Sequence, residues 1–151
     1  MNYRPGNGNF LIVGDKRYEL RQFHFHRLSE EYVQGKPYDM SIHFMHEAND
    51  GKPAAVAVLL KAGSANTTIE QLWQYMPRTP AHPFGLLPKD TAYYTYAGSL
   101  TAPPCTEGVT WFVLKTPADI STEEISLFAN RYPHNVRPIQ LLNGRVVNES
   151  Q

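Results

Sequence analysis

Gln22-Phe23-His24-Phe25-His26 opens the stretch that decides the fold, which continues Arg27-Leu28-Ser29-Glu30-Glu31-Tyr32-Val33-Gln34-Gly35-Lys36-Pro37-Tyr38-Asp39-Met40-Ser41-Ile42-His43-Phe44-Met45-His46. In an extended strand successive side chains alternate faces, so Gln22, His24 and His26 point one way and Phe23 and Phe25 the other. Gly35 and Pro37 mark a turn, after which Ser41 to His46 alternates again with Ser41, His43 and Met45 on one side. If the two strands pair in one sheet with those faces matched, three imidazoles converge. Histidines interleaved with phenylalanine also suit a half-buried strand with no further role, so the pattern leaves that plain reading beside a metal site. For a metal, the count is that of a catalytic zinc centre, where three neutral imidazoles leave a fourth position open. A closed structural site uses all four positions and usually several thiolates, and this chain has a single cysteine, Cys105.

The 151 residues suffice for one domain, expected to span 1–151, with a sizeable core. Zero formal net charge argues against a nucleic acid or an anionic membrane as the main partner. No apolar run reaches the length of a membrane span, and the opening Met1-Asn2-Tyr3-Arg4-Pro5-Gly6 has no secretory apolar core, so a soluble chain without an address is expected. One cysteine cannot close an internal disulfide, which leaves the redox compartment open.

Outward from the histidines, the chain reads as short strands punctuated by glycine, proline and asparagine. Phe10 to Val13, the turn Gly14-Asp15-Lys16 and Arg17 to His26 predict a hairpin. Asn49-Asp50-Gly51-Lys52 is a turn signal, and Ala54 to Lys61 is a small-residue apolar run suited to a strand buried on both faces. Thr67 to Tyr75 predicts a short helix with Thr67 or Thr68 as N-cap and Glu70 in its first turn. A proline-rich loop covers 77–88. Ala92 to Tyr96, Val109 to Leu114 and Ile139 to Leu142 read as strands, and Ser121 to Asn130 as a helix opening on Ser-Thr-Glu-Glu. The sum is mainly β with two short helices.

A second dense stretch runs from Gly98-Ser99-Leu100-Thr101 through Ala102-Pro103-Pro104-Cys105-Thr106-Glu107-Gly108 to Val109-Thr110-Trp111. Its paired prolines hold the backbone extended and stiff, with Thr101 carried on that rigid loop. Together with Gln22 to His26, Ser29-Glu30, His43 to His46, and Tyr132-Pro133-His134-Asn135-Val136-Arg137-Pro138 with Gln140, this stretch resembles the α-class carbonic anhydrases, in particular the bacterial members. The resemblance implies a central, mostly antiparallel sheet with a few short peripheral helices, and zinc-dependent, reversible hydration of carbon dioxide to bicarbonate and a proton.

Carried over residue by residue, the resemblance makes His24, His26 and His43 the ligands of Zn2+, which lowers the pKa of its bound water to about 7. Thr101 would be the gatekeeper. Its hydroxyl has one hydrogen; if that goes to the Glu30 carboxylate, only lone pairs face the zinc, and zinc-bound hydroxide is selected and aimed at the substrate. Gln22 would orient His24 from outside the ligand shell. Met45, Leu100, Val109 and Trp111 would form the apolar wall for carbon dioxide, with Ala55 where the family usually has valine; each is equally plain core when taken singly. Ala102 replaces a common second threonine of the cleft. His46 should point to the opposite face as a buried structural histidine, Glu31 should be solvated, and Asn135 and Arg137 should frame the site from beneath.

Departures from the family carry expectations of their own. Ser41 stands where the family has a glutamate that accepts the ring N–H of the third histidine. Serine accepts only weakly, and losing such a partner typically costs about 10–100-fold in metal affinity or activity, so looser zinc than the family norm is expected. The chain matches about the last two thirds of the family domain. The resemblance therefore implies that N-terminal strands and the proton-shuttling histidine are missing, so turnover should be slow in weak buffer and rescued by imidazole. His82 and His134 are other shuttle candidates, though loop exposure explains both. Cys105 would be an orphaned disulfide partner, and the family suggests a periplasmic or secreted location. Uncovered sheet edges would invite a homodimer or a covering partner. The alternative function is a carbonic-anhydrase-like zinc-binding or interaction protein with little catalysis. A third reading takes His24, His26 and Glu30 as a cupin-like set, but it leaves 100–111 unexplained.

Overall fold

The computed structural model describes residues 1–75, 83–133 and 135–150; His82 and His134 lie outside them. Strands β1 (Phe10–Val13) and β2 (Lys16–His26) form the expected hairpin. Its turn rests on Gly14 at φ +57, a left-handed conformation that costs glycine little. A small second hairpin joins β3 (Tyr32–Val33) and β4 (Lys36–Pro37). The chain continues through β5 (Met40–Ala48), β6 (Pro53–Ala62), helix α1 (Thr67–Tyr75), a 3-10 turn (Pro83–Leu86), β7 (Tyr93–Ser99), β8 (Glu107–Leu114), β9 (Ala118–Ile120), helix α2 (Thr122–Arg131) and β10 (Asn148–Glu149).

The main sheet runs β1-β2-β5-β6-β8-β7-β10, with β9 also paired to β6. Its ladders are antiparallel except where β6 meets β8 and β9 in parallel. As the mainly β reading with short peripheral helices anticipated, β6 is the central strand and is covered on both faces. Ala54, Val56, Val58 and Leu60 join Leu20, Phe23, Phe25, Ile42, Phe44 and Phe112 in the large core, against which α1 and α2 pack through Ile69, Leu72 and Phe128. Ala55, Ala57 and Leu59 turn to the other face and join Val109, Trp111 and Val113. A period of two therefore divides the molecule into a packing side and a working side.

Two local expectations need correction. The cap of α1 is Asn66, whose Oδ1 accepts from the backbone N–H groups of Thr68 and Ile69, so neither threonine serves. An asparagine side chain just before the first turn satisfies the same orphaned donors a threonine would. At α2 the expected opening is present: Ser121 and Glu124 form a reciprocal capping box. Ile139 to Leu142 forms no strand, and Leu141 is 80% exposed. The outer edge of β7 is occupied by Asn148 and Glu149 instead, while the Arg145 guanidinium curls back onto the carbonyls of Leu141 and Leu142. Apolar residues alone do not make a strand where no edge is offered to them.

Candidate metal centre

β2 and β5 are in the register the histidine reading requires: Gln22 faces Met45, His24 faces His43, and His26 faces Ser41. An irregularity between Leu20 and Gln22 resets the alternation of β2, so that Leu20, Phe23 and Phe25 all enter the core while the intervening histidines face the other way. The three rings cluster with centroids 4.7 Å (His24–His26), 5.3 Å (His24–His43) and 4.5 Å (His26–His43) apart. One ring nitrogen from each lies within 4.8 Å of the others.

The opposite nitrogen of each ring is held by an oxygen. His24 Nδ1 meets Gln22 Oε1 at 2.8 Å, His26 Nδ1 meets the Asn135 carbonyl at 2.6 Å, and His43 Nε2 meets Glu31 Oε1 at 2.6 Å. Carbonyl and carboxylate oxygens only accept, so each fixes the proton on the outer nitrogen and leaves the inner one bare. Burial, reinforced by the His43 and His26 imidazoles, drives the pKa of His24 down to about 3. Burial and then the His43 ring lower that of His26 too, with Glu30 pulling the other way. Both rings are thus neutral near pH 7, the protonation state that coordinates a metal. His26 Nε2 is buried without a hydrogen-bond partner. Three converging and outwardly braced imidazoles fit zinc, which binds histidine nitrogen at about 2.0–2.1 Å.

Two second-layer expectations are overturned. Glu31 is not solvated: it is 8% exposed and braces His43. Its burial raises the carboxyl pKa, but the His43 ring and its hydrogen bond more than offset this, and the net shift is downward. Ser41 does not reach His43; it is fully buried and its hydroxyl has no partner. Same-face residues on a strand lie about 6.6 Å apart, too far for so short a side chain. The only prior signal for Glu31 was its place beside Glu30.

Glu30 and Thr101 border the same two cavities. Among the described residues no hydrogen bond joins them. Glu30 Oε1 takes the backbone N–H of Arg137 at 2.5 Å, and Oε2 lies unpartnered, 3.6 Å from His26 Nε2 and 3.9 Å from His43 Nδ1. A cleft of about 760 Å³ is lined by His24, His26, Thr101, Ala102 and Asn135. A second cavity of about 420 Å³, sharing Glu30, Thr101 and Arg137 with it, is also lined by Glu31, Tyr96 and Trp111.

Ala55, Val109 and Trp111 are buried in the working-side cluster, with Met45 and Leu100 packed against it. Trp111 stands edge-on to His43 at 4.8 Å and donates its indole N–H to the Ser99 carbonyl at 3.0 Å. Gly98 makes room for that indole, because a Cβ there would lie 2.8 Å from it. Asn135 and Arg137 do frame the site, Arg137 through Glu30 and the Ser99 hydroxyl. His46 faces the packing side, is buried, and bonds the Phe44 carbonyl at 2.9 Å.

A family profile for eukaryotic-type carbonic anhydrase matches residues 8–151. A carbonic anhydrase of Neisseria gonorrhoeae is 44% identical over 158 residues, covering 99% of this chain and 62% of that protein. One of Nostoc sp. is 38% identical over 160 residues, covering 99% of this chain and 60% of its own length. Among solved structures, a hyperthermostable carbonic anhydrase from a hydrothermal vent chimney superposes with a TM-score of 0.91 at 40% identity, covering 99% of this chain and 71% of that one. The chain thus spans about three fifths of the curated relatives it matches.

Proposed function

The chain belongs to the eukaryotic-type carbonic anhydrase family, and from that premise we propose that it hydrates carbon dioxide reversibly to bicarbonate and a proton around a zinc ion held by His24, His26 and His43. The observation that carries this is the convergence of three bare ring nitrogens, each braced from behind by an oxygen. Zinc in such a site supplies a nucleophile at neutral pH by lowering the pKa of bound water to about 7.

The chain's own residues do the rest. Gln22, Asn135 and Glu31 hold the three rings in the tautomers that aim their lone pairs at one point. The gatekeeper role asks Thr101 to turn its single hydroxyl hydrogen to the unpartnered Oε2 of Glu30, a bond not made among the described residues, and to keep its lone pairs toward the cleft, so that only a group bringing its own hydrogen bonds it from that side. The apolar cluster of Met45, Leu100, Val109 and Trp111, of which Trp111 borders the smaller cavity, is the side assigned to carbon dioxide, which asks for neither charge nor donor.

Carbon dioxide hydration measured on zinc-loaded protein, after metal removal and after zinc return, tests the proposal. Activity should vanish with the metal and come back with it. A second reading, a zinc-binding protein of this fold with little catalysis, is favoured by the Glu30 carboxylate facing two ring nitrogens with no bond to Thr101. One equivalent of zinc without hydration would select it. The apolar sheet end at β1, where Ile12 is 69% exposed, is further proposed to pair with a second copy of the chain.

A further inference from the structure

His43 is the most deeply buried of the three histidines, and its brace comes from outside its own strand. Glu31 sits on the loop after β2. Ser29 fastens that loop: its hydroxyl donates to the Glu31 carbonyl at 2.7 Å and accepts the Tyr38 backbone N–H at 2.9 Å, while its own N–H donates to the Tyr38 carbonyl at 3.1 Å. The Glu31 backbone is therefore fixed to the start of β5, and its carboxylate reaches 2.6 Å from His43 Nε2. The other oxygen of that carboxylate makes no bond, and among the described residues the His43 ring is its only side-chain hydrogen-bond partner. Ser41, on the strand with His43, contributes none.

We propose that Glu31 is the positioning residue for the third metal ligand, holding His43 as the Nε2–H tautomer with Nδ1 toward the metal and thereby setting zinc affinity, with Ser41 taking no part. The inference rests on the zinc reading of the three histidines. Its consequence is that the looseness expected from serine at position 41 is made good from the loop. Metal affinity is then coupled to the Ser29 fastening as well as to the sheet.

Two measurements test it. In metal-free protein, nitrogen NMR of the His43 ring should find the proton on Nε2, and Glu31→Ala should release that preference. By equilibrium competition with a chromophoric chelator, Glu31→Ala should bind zinc about 10–100-fold more weakly than the wild type. Glu31→Gln keeps an acceptor oxygen of equal reach and should recover part of the loss, which guards against a variant that fails to fold. Ser41→Ala should stay within about twofold. A wild-type His43 protonated at Nδ1, or a Glu31→Ala affinity within twofold of wild type, overturns the proposal. If the wild type binds no zinc at all, the proposed function falls, and the tautomer measurement still decides the role of Glu31.

Discussion

The backbone carbonyl of Asn135 accepts the Nδ1–H of His26 at 2.6 Å across a sequence separation of 109 residues. The Asn135 side chain makes the junction rigid, donating to the Phe25 carbonyl at 2.7 Å and accepting the Arg27 N–H at 3.0 Å. The segment after α2 is thereby clamped along the end of β2, and one ligand tautomer depends on that clamp.

Asn135→Ala should cost about 1–3 kcal/mol, since each lost hydrogen bond is worth about 0.5–1.5 kcal/mol and leaves a partner unpaired. In a chain of this size that is a fall of about 2–12 °C in Tm. Zinc affinity should fall too, because the carbonyl that orients His26 is no longer fixed; calorimetry and chelator competition check the two effects.

Ser41→Glu should not tighten zinc. His43 Nε2 already has its acceptor in Glu31, and position 41 is fully buried. A second carboxylate there has no free donor to meet and costs several kcal/mol or takes up a proton. Thermal unfolding should show a drop of at least about 4 °C, corresponding to about 2 kcal/mol.

His46 gives the protein an acid-labile term away from the metal. Burial, partly offset by the Phe44 carbonyl, lowers its pKa to about 4, whereas an unfolded imidazole titrates near 6.5. Between those values the unfolded chain holds more protons, so stability from this group is complete above about pH 6.5 and is lost as pH falls toward 4, a change on the order of 3 kcal/mol. Denaturant unfolding across that range should be flatter in His46→Phe than in wild type.

If β1 pairs with a second copy, Ile12→Lys should abolish it, since a charge on an exposed edge strand blocks edge-to-edge pairing. Light scattering over a concentration series should show association for wild type and a constant mass for the variant. A wild type of constant monomer mass would remove the dimer proposal.

The histidine face was legible because strand periodicity is strict: once β2 and β5 pair, the positions of His24, His26 and His43 follow. The capping box of α2 was legible for a like reason, its residues being local to one another. Glu31 was not, because nothing in the pattern of a loop tells which of two adjacent carboxylates turns inward; the Ser29 to Tyr38 bonds decide that. Ile139 to Leu142 misled because its composition suits a strand while the free edge belongs to Asn148 and Glu149. Both misses concern segments whose conformation is set by distant partners.

X-ray absorption at the zinc edge on stoichiometrically loaded protein tests the central claim most directly. Three imidazole nitrogens at about 2.0–2.1 Å and one oxygen ligand from solvent are predicted, with one imidazole lost in each of His24→Ala, His26→Ala and His43→Ala. A first shell of two imidazoles or fewer, or one left unchanged by any of those substitutions, would contradict the account.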